Sequence, residues 1–240
     1  DDISIVRAGR DILNTTLDIA GPGLLDVVAG RNLYQALDVP NGVVAPESTI
    51  DSIGSVVSGD TRLGAGIALT VGAGERGPDY AAFAALYFDA ANLADPDLPL
   101  ADQPGKVVKT YQRELTDWLK TRFGYDGSDD QALAYFQSLP AEQQAVFARS
   151  VYFAELRLGG REYNNSESRR FNSYLRGRNA IAVLFPEKDA NGQAIAYNGS
   201  VTFQGSAGMH TDFGGGIQVL APGGGLTLGA AGVVPPATTG

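Results

Sequence analysis

The chain has 240 residues, a formal net charge of −9 and no cysteine. This length allows one large domain or two small ones with a buried core. The acidic balance argues against nonspecific binding to nucleic acid or anionic lipid, and the lack of cysteine excludes disulfides and thiolate metal sites. Because the chain opens on Asp1-Asp2 with no signal-peptide pattern, we expect it to be a fragment of a longer protein.

Glycine divides the chain into three segments. Residues 1–77 contain 12 glycines and residues 187–240 contain 13, whereas residues 78–186 contain 6. Aromatic residues show the opposite distribution, with 17 of 21 in the middle segment. We therefore predict short strands in the two outer segments and a separate helical domain, at 78–186, between them.

The first segment shows a repeat with an offset of 21 residues. Its turns Ala8-Gly9-Arg10-Asp11-Ile12 and Ala29-Gly30-Arg31-Asn32-Leu33 match, and "GAGIALTVGAG" at 64–74 alternates apolar residues between glycines. Short glycine-bounded strands with a repeat near 20 residues predict a parallel β-helix, a solenoid of stacked coils. The alternative is a β-sandwich of short hairpins, for which Asn41-Gly42 and Asn191-Gly192 are the matching turns.

The middle segment has the periodicity of several amphipathic helices. An apolar stripe runs through "KVVKTYQRELTDWLKTRFG", and Gly124 is placed to end that helix. Ser128 and Gln131 predict a capping box, and Pro140 predicts the start of a further helix that Gly159-Gly160 would stop. Helices are also predicted within 79–93 and 168–185, which together give a small helical bundle.

The last segment, 187–240, is predicted to form a hairpin at "EKDANGQAIAY" and then to return to strands. In "TDFGGGIQVLAPGGGLTLG", two glycine triplets alternate with short apolar runs. That rhythm matches coils with two or three inward side chains between tight turns.

Three stretches resemble filamentous-haemagglutinin-family outer membrane proteins, which are exoproteins of two-partner secretion. They are "ALAYFQSLPAEQQAVFARSVYFAELRLGGREYN", "SYLRGRNAIAVLFP" and "GSVTFQGSAGMHTDFGGGIQVLAPGGGLTLG". The resemblance implies a haemagglutinin-type, right-handed parallel β-helix and a secreted or cell-surface adhesin. The expected fold class is thus mainly β with an α-helical insertion, in which β-solenoid coils at 1–77 and 187–240 flank a helical bundle.

The resemblance also gives expectations for function and partners. The chain would be a structural rod of a bacterial surface adhesin that engages host or bacterial surface glycans or proteins. The parent protein would use an outer-membrane secretion partner, neighbouring β-helix coils would stack on this chain, and no nucleic acid or cofactor is expected.

The middle segment carries a basic and aromatic run at 149–178, with seven arginines against three glutamates. Arginine forks bind carboxylates and sulfates, and tyrosine rings stack on sugars. The candidate ligand-binding residues are Arg161, Tyr163, Asn164, Arg169, Arg170, Tyr174, Arg176 and Arg178. The alternative interpretation is that these arginines dock the helical bundle onto the acidic outer segments.

Enzyme activity is not expected, and neither catalytic nor metal-ligating residues are assigned. Ser206, His210 and Asp212 could be drawn as a hydrolase triad, but their closeness in a predicted coil makes convergence awkward. Polysaccharide lyases and hydrolases also use parallel β-helices, so they remain the enzyme alternative, by analogy of fold alone. A carbohydrate-binding module for acidic glycans is the other alternative.

Overall fold

The computed structural model describes residues 2–35, 48–204 and 207–229. The chain divides into two compact units. Asp1–Gly77 and Ala196–Gly240 form the first, which we call the strand unit, and Pro78–Ile195 forms the second, the helical unit. The Asn41-Gly42 turn and Ser206 lie outside the described residues, so those two predictions have no structural counterpart here.

The described residues of the strand unit form eleven short strands. They are β1 (Ile3–Ala8), β2 (Ile12–Leu13), β3 (Leu17–Ile19), β4 (Leu24–Ala29), β5 (Leu33–Gln35), β6 (Thr49–Ser52), β7 (Gly66–Val71), β8 (Val201–Phe203), β9 (Gly208–Thr211), β10 (Ile217–Leu220) and β11 (Leu226–Leu228). They form three parallel sheets with strand orders β1-β4-β7-β10, β11-β8-β5-β2 and β3-β6-β9.

The 21-residue repeat of the sequence appears as the register of the first sheet. Ile3 pairs with Leu24 and Ala8 with Ala29, so equivalent residues of the repeat lie side by side on adjacent strands. At the following turn, a Cβ built on Gly30 would lie 2.1 Å from the carbonyl oxygen of Gly9. The two turns therefore approach closely enough to require glycine at position 30.

All three sheets contribute to one apolar core. The fully buried members lie on strands of each sheet and are Val27, Leu33, Ile50, Ile67, Val71 and Val201. Burial of these side chains, at about 1.5–3 kcal/mol each, is the main stabilisation of the strand unit.

The predicted fold class is wrong and is corrected here. The structure is α/β, with three parallel sheets of three or four strands and five helices. The five α-helices, of 8, 12, 10, 24 and 10 residues, contain more residues than the eleven strands. A mainly β fold built on a right-handed parallel β-helix is therefore not the description of this chain. The spacing of the glycines indicates where strands begin and end. It does not indicate the fold class, which depends on the strands and helices together.

The helical unit contains five α-helices: α1 (Tyr80–Tyr87), α2 (Gln112–Phe123), α3 (Asp129–Ser138), α4 (Ala141–Asn164) and α5 (Leu175–Leu184). Gly124 ends α2 in the left-handed conformation, with φ of 66°. Ser128 and Gln131 form the predicted capping box at the start of α3. The aromatic rings of Phe83, Phe88, Phe136 and Phe147 pack together in the core of this unit.

The sequence predicted that α4 would stop at Gly159-Gly160. In the structure the helix continues through both glycines to Asn164. Packing explains Gly159, because a Cβ there would lie 3.0 Å from the Gly177 nitrogen and 3.3 Å from the Tyr174 ring. Close contact between α4 and α5 thus offsets the low helix propensity of this glycine. Packing does not explain the glycine at position 160, since a Cβ there would meet nothing within 4 Å.

The predicted hairpin at Asn191-Gly192 is a tight turn within the helical unit. Lys188 and Ala194 form a single antiparallel bridge, and the Gly192 nitrogen donates to the carbonyl oxygen of Asp189 at 2.9 Å. The residues on either side of this turn do not belong to any of the eleven described strands.

Candidate functional site

Four charged side chains form a network between α4, α5 and the segment that leads into α5. The Nε and Nη2 atoms of Arg176 donate to the Glu155 carboxylate at 2.8 and 2.6 Å, and its Nη1 atom donates to Glu162 at 2.6 Å. Arg170 donates to Glu162 through Nε and Nη2 at 2.6 and 3.0 Å. The two arginines and two glutamates therefore balance each other's charge inside the helical unit.

Burial and hydrogen bonding set the protonation states around this network. The Tyr111 hydroxyl donates to Glu155 at 2.6 Å, and burial followed by this bond raises the pKa of Tyr111 well above its usual range. For Glu162, burial raises the pKa, but the hydrogen bonds from Arg170 and Arg176 outweigh it and leave the pKa below its usual value. Glu162 is thus held as a charged carboxylate by its two arginine partners.

Two predicted ligand-binding residues lie where α4 packs against α5. Arg176 is buried, with only 6% of its side chain exposed, and it acts as a structural cation. Tyr174 precedes α5, its hydroxyl donates to the carbonyl oxygen of Leu156 at 3.3 Å, and its ring packs beside Gly177. Both residues are engaged in packing between α4 and α5.

Two other predicted residues line a cleft of about 480 Å³, Arg169 and Arg170. The opposite wall is the loop of residues 96–101, and Ser173 and Leu175 complete the lining. Arg169 has 73% of its side chain exposed, donates to the Pro96 carbonyl oxygen at 2.6 Å and lies 3.5 Å from Asp97. The Ser173 hydroxyl has no hydrogen-bond partner among the described residues. We call this the cleft.

The Gln103 side chain makes several hydrogen bonds to the loop wall of the cleft. The Gln103 amide accepts a hydrogen bond from the Asp95 nitrogen at 2.7 Å and donates to the carbonyl oxygens of Asp95 and Leu98 at 3.0 and 3.2 Å. Pro96 and Pro99 restrict the same loop further. The cleft therefore has a preformed wall with the apolar side chains of Leu98 and Leu100, and a mostly exposed guanidinium at its rim that pairs with Asp97 of that wall.

Arg161 and Asn164 lie elsewhere, on the exposed face of α4. With Arg157, Gly160 and Asn165 they line a shallow concave surface of about 600 Å³. Neither Arg157 nor Arg161 has an acidic partner among the described residues. The remaining predicted residues, Tyr163 and Arg178, are exposed but line neither this surface nor the cleft.

Sequence reasoning missed several residues that the structure brings together. The loop of residues 96–101 lies 68 or more positions before Arg169, and no local pattern connects them. Arg157 could have been found, because it is one helical turn before Arg161 on the same face. Glu155 and Glu162 are two turns apart on α4, and this spacing could have identified them as partners for buried arginines.

The described residues contain no group of three or more His, Asp or Glu side chains that could hold a metal ion. His210 lies on β9, exposed and in register with Asp51 of β6. No helix in the described part of the chain is long and apolar enough to cross a membrane.

Comparisons with protein-family models, with curated proteins and with solved structures find no match to this chain. The resemblance to filamentous haemagglutinins therefore rests on the three stretches quoted above and stays a prediction.

Proposed function

We propose that this chain is a segment of a secreted or cell-surface bacterial adhesin and that its helical unit recognises an acidic glycan. The sequence resemblance supports the adhesin context. The observation that carries recognition is the cleft, where the mostly exposed Arg169 guanidinium lies against a preformed loop wall.

The chemistry of the cleft fits a single acidic sugar residue. A volume of about 480 Å³ is in the range of small-molecule sites. A sugar carboxylate would bind the free N–H groups of Arg169, and a sugar hydroxyl would bind Ser173. The C–H face of the ring would lie on Leu98, Leu100 and Leu175.

Arg170 would position the site rather than bind the sugar. Its Nε and Nη2 atoms are already engaged by Glu162, which fixes the segment that carries Arg169 and Ser173. The strand unit would act as the scaffold that carries the helical unit in the parent protein. On this proposal the chain binds its ligand without transforming it.

The test is calorimetric titration of the full chain with glucuronic acid and N-acetylneuraminic acid, with glucose as the neutral comparison. Arg169→Ala should weaken binding of the acidic sugar about 10- to 100-fold, because a charged hydrogen bond contributes about 1.5–3 kcal/mol. The matched control is Arg113→Ala, an exposed arginine on α2 outside the cleft. Equal binding of glucose, or unchanged binding by Arg169→Ala, would refute the proposal.

A further inference from the structure

Helix α4 presents a second polar surface, distant in sequence from the loop that walls the cleft. Residues 157, 160, 161 and 164 follow the i, i+3, i+4, i+7 spacing of one helical face, and Asn165 is the C-cap residue that follows them. They line the concave surface of about 600 Å³ already described. We call these five residues the α4 face.

The two arginines of the α4 face stand next to each other without a counter-charge. Arg157 and Arg161 are one turn apart, a spacing at which like charges destabilise a helix. Neither forms an ion pair or a hydrogen bond through its side chain among the described residues. Arg161 lies in the last turn of α4, where a cation is favoured by the helix dipole, but Arg157 lies before that turn. The dipole therefore does not explain the pair.

Gly160 lies between the two arginines and has no packing role. A Cβ at this position would meet nothing within 4 Å, and the residue is inside a 24-residue helix. Glycine inside a helix is unfavourable relative to alanine. Its effect here is to leave the floor between the two guanidinium groups without a side chain, so that a ligand can approach the helix backbone.

Two side-chain amides add one hydrogen-bond donor and one acceptor to the α4 face. The Asn164 amide nitrogen donates to the Gly160 carbonyl oxygen at 2.9 Å, which leaves its own oxygen free to accept. The Asn165 oxygen accepts from the Glu167 nitrogen at 3.0 Å, which leaves its amide nitrogen free to donate. The α4 face thus offers two cations, one amide donor and one amide acceptor around an open floor.

We propose that the α4 face is a second binding site, which takes the sulfate or carboxylate groups of a polyanionic polysaccharide. Guanidinium forks bind such groups in bidentate geometry, and the amides match the neighbouring sugar hydroxyls. The surface is shallow and open, which suits a segment inside a polymer chain rather than a terminal sugar. The site is independent of the cleft, because the two share no residue.

The experiment measures binding of the full chain to immobilised heparin, with uncharged dextran as the comparison, over a series of salt concentrations. Arg157→Ala/Arg161→Ala should weaken binding at least 10-fold and reduce its salt dependence. Arg113→Ala/Lys120→Ala also removes two exposed charges, from α2, and should leave the affinity within about 2-fold. Equal losses in these variants would show that only net charge matters and would overturn the proposal.

Gly160→Ala tests the geometry without changing the charge. It should raise Tm by about 1–4 °C, since alanine favours the helix, and should weaken heparin binding about 3- to 10-fold. Arg169→Ala separates the two sites, because it should leave heparin binding intact while it removes binding of the acidic monosaccharide. Unchanged heparin binding by Gly160→Ala, or loss of heparin binding by Arg169→Ala alone, would overturn the assignment to the α4 face.

Discussion

Glu155 and Arg176 form a bidentate ion pair in the core of the helical unit. The two N–H···O distances are 2.8 and 2.6 Å, and the side chains are 1% and 6% exposed. The third donor to Glu155 is the Tyr111 hydroxyl, and the third donor atom of Arg176 binds Glu162. This pair connects α4 to α5 and fixes the segment that carries the cleft arginines.

Arg176→Ala should destabilise the helical unit by about 3–5 kcal/mol, because it leaves the Glu155 carboxylate buried without its counter-charge. The measurement is urea unfolding followed by the fluorescence of Trp118, which is the one tryptophan in the chain and lies on α2. The double variant Glu155→Leu/Arg176→Leu removes both charges and should cost less than Arg176→Ala alone. If the double variant were the less stable of the two, the uncompensated charge would not be the cause.

Glu162 should make the stability of the helical unit depend on pH in the acidic range. Its pKa in the folded chain is held below the usual value, so the folded state favours the carboxylate more than the unfolded state does. The stabilisation is present above the unfolded pKa, about 4.3, and is lost as pH falls through the folded pKa.

Glu162→Gln should flatten this acid dependence, measured as the free energy of urea unfolding from pH 6 downward on the same fluorescence signal. Glu167→Gln is the matched control, because Glu167 is an exposed glutamate whose side chain forms no ion pair among the described residues. If the free energy of unfolding fell equally with decreasing pH in the wild type and in Glu162→Gln, Glu162 would not be the source of the acid dependence.

Local sequence signals predicted several elements correctly because their causes are local. Gly124 and the Ser128–Gln131 capping box follow from backbone conformation and from hydrogen bonds three residues apart. The repeat of 21 residues likewise reappears as strand register. The fold class was wrong because it depends on the assembly of strands into sheets and on the total helical content, neither of which a local period determines.

The candidate site was predictable only in part, for a similar reason. Arginines and tyrosines at 149–178 signal polar recognition, but their sequence does not reveal which of them are neutralised. Arg176 is neutralised by residues 14 and 21 positions away, on another helix. Arg169 also hydrogen-bonds to Pro96 in the loop that walls the cleft, 73 positions earlier in the sequence. A contact between residues so far apart produces no periodic pattern in the sequence.

The adjacent glycines of α4 should respond to alanine in opposite directions. Gly159→Ala places a Cβ 3.0 Å from the Gly177 backbone, so α4 and α5 must separate, at a cost of about 1–3 kcal/mol. Gly160→Ala meets no neighbour and should stabilise the helix by about 0.5–1 kcal/mol. Both are measured by urea unfolding on Trp118 fluorescence. Similar changes in the two variants would indicate that helix propensity alone governs this region.

Two isoleucines in the same column of the first sheet should differ sharply in their contribution to the strand unit. Ile67 on β7 and Ile217 on β10 are register partners in parallel strands, so their side chains point to the same side. Ile67 is fully buried, whereas Ile217 is 41% exposed, because β10 is the last described strand of that sheet.

Ile67→Ala should destabilise the strand unit by about 2–5 kcal/mol, as expected for a large-to-small change in a packed core. Ile217→Ala should cost less than about 1 kcal/mol, because solvent already occupies part of its surroundings. Protection of strand amides from hydrogen exchange gives the measurement for this unit, since its described residues include no tryptophan. Equal losses of protection would show that β10 is covered as completely as β7, and that the sheet continues past Ile217.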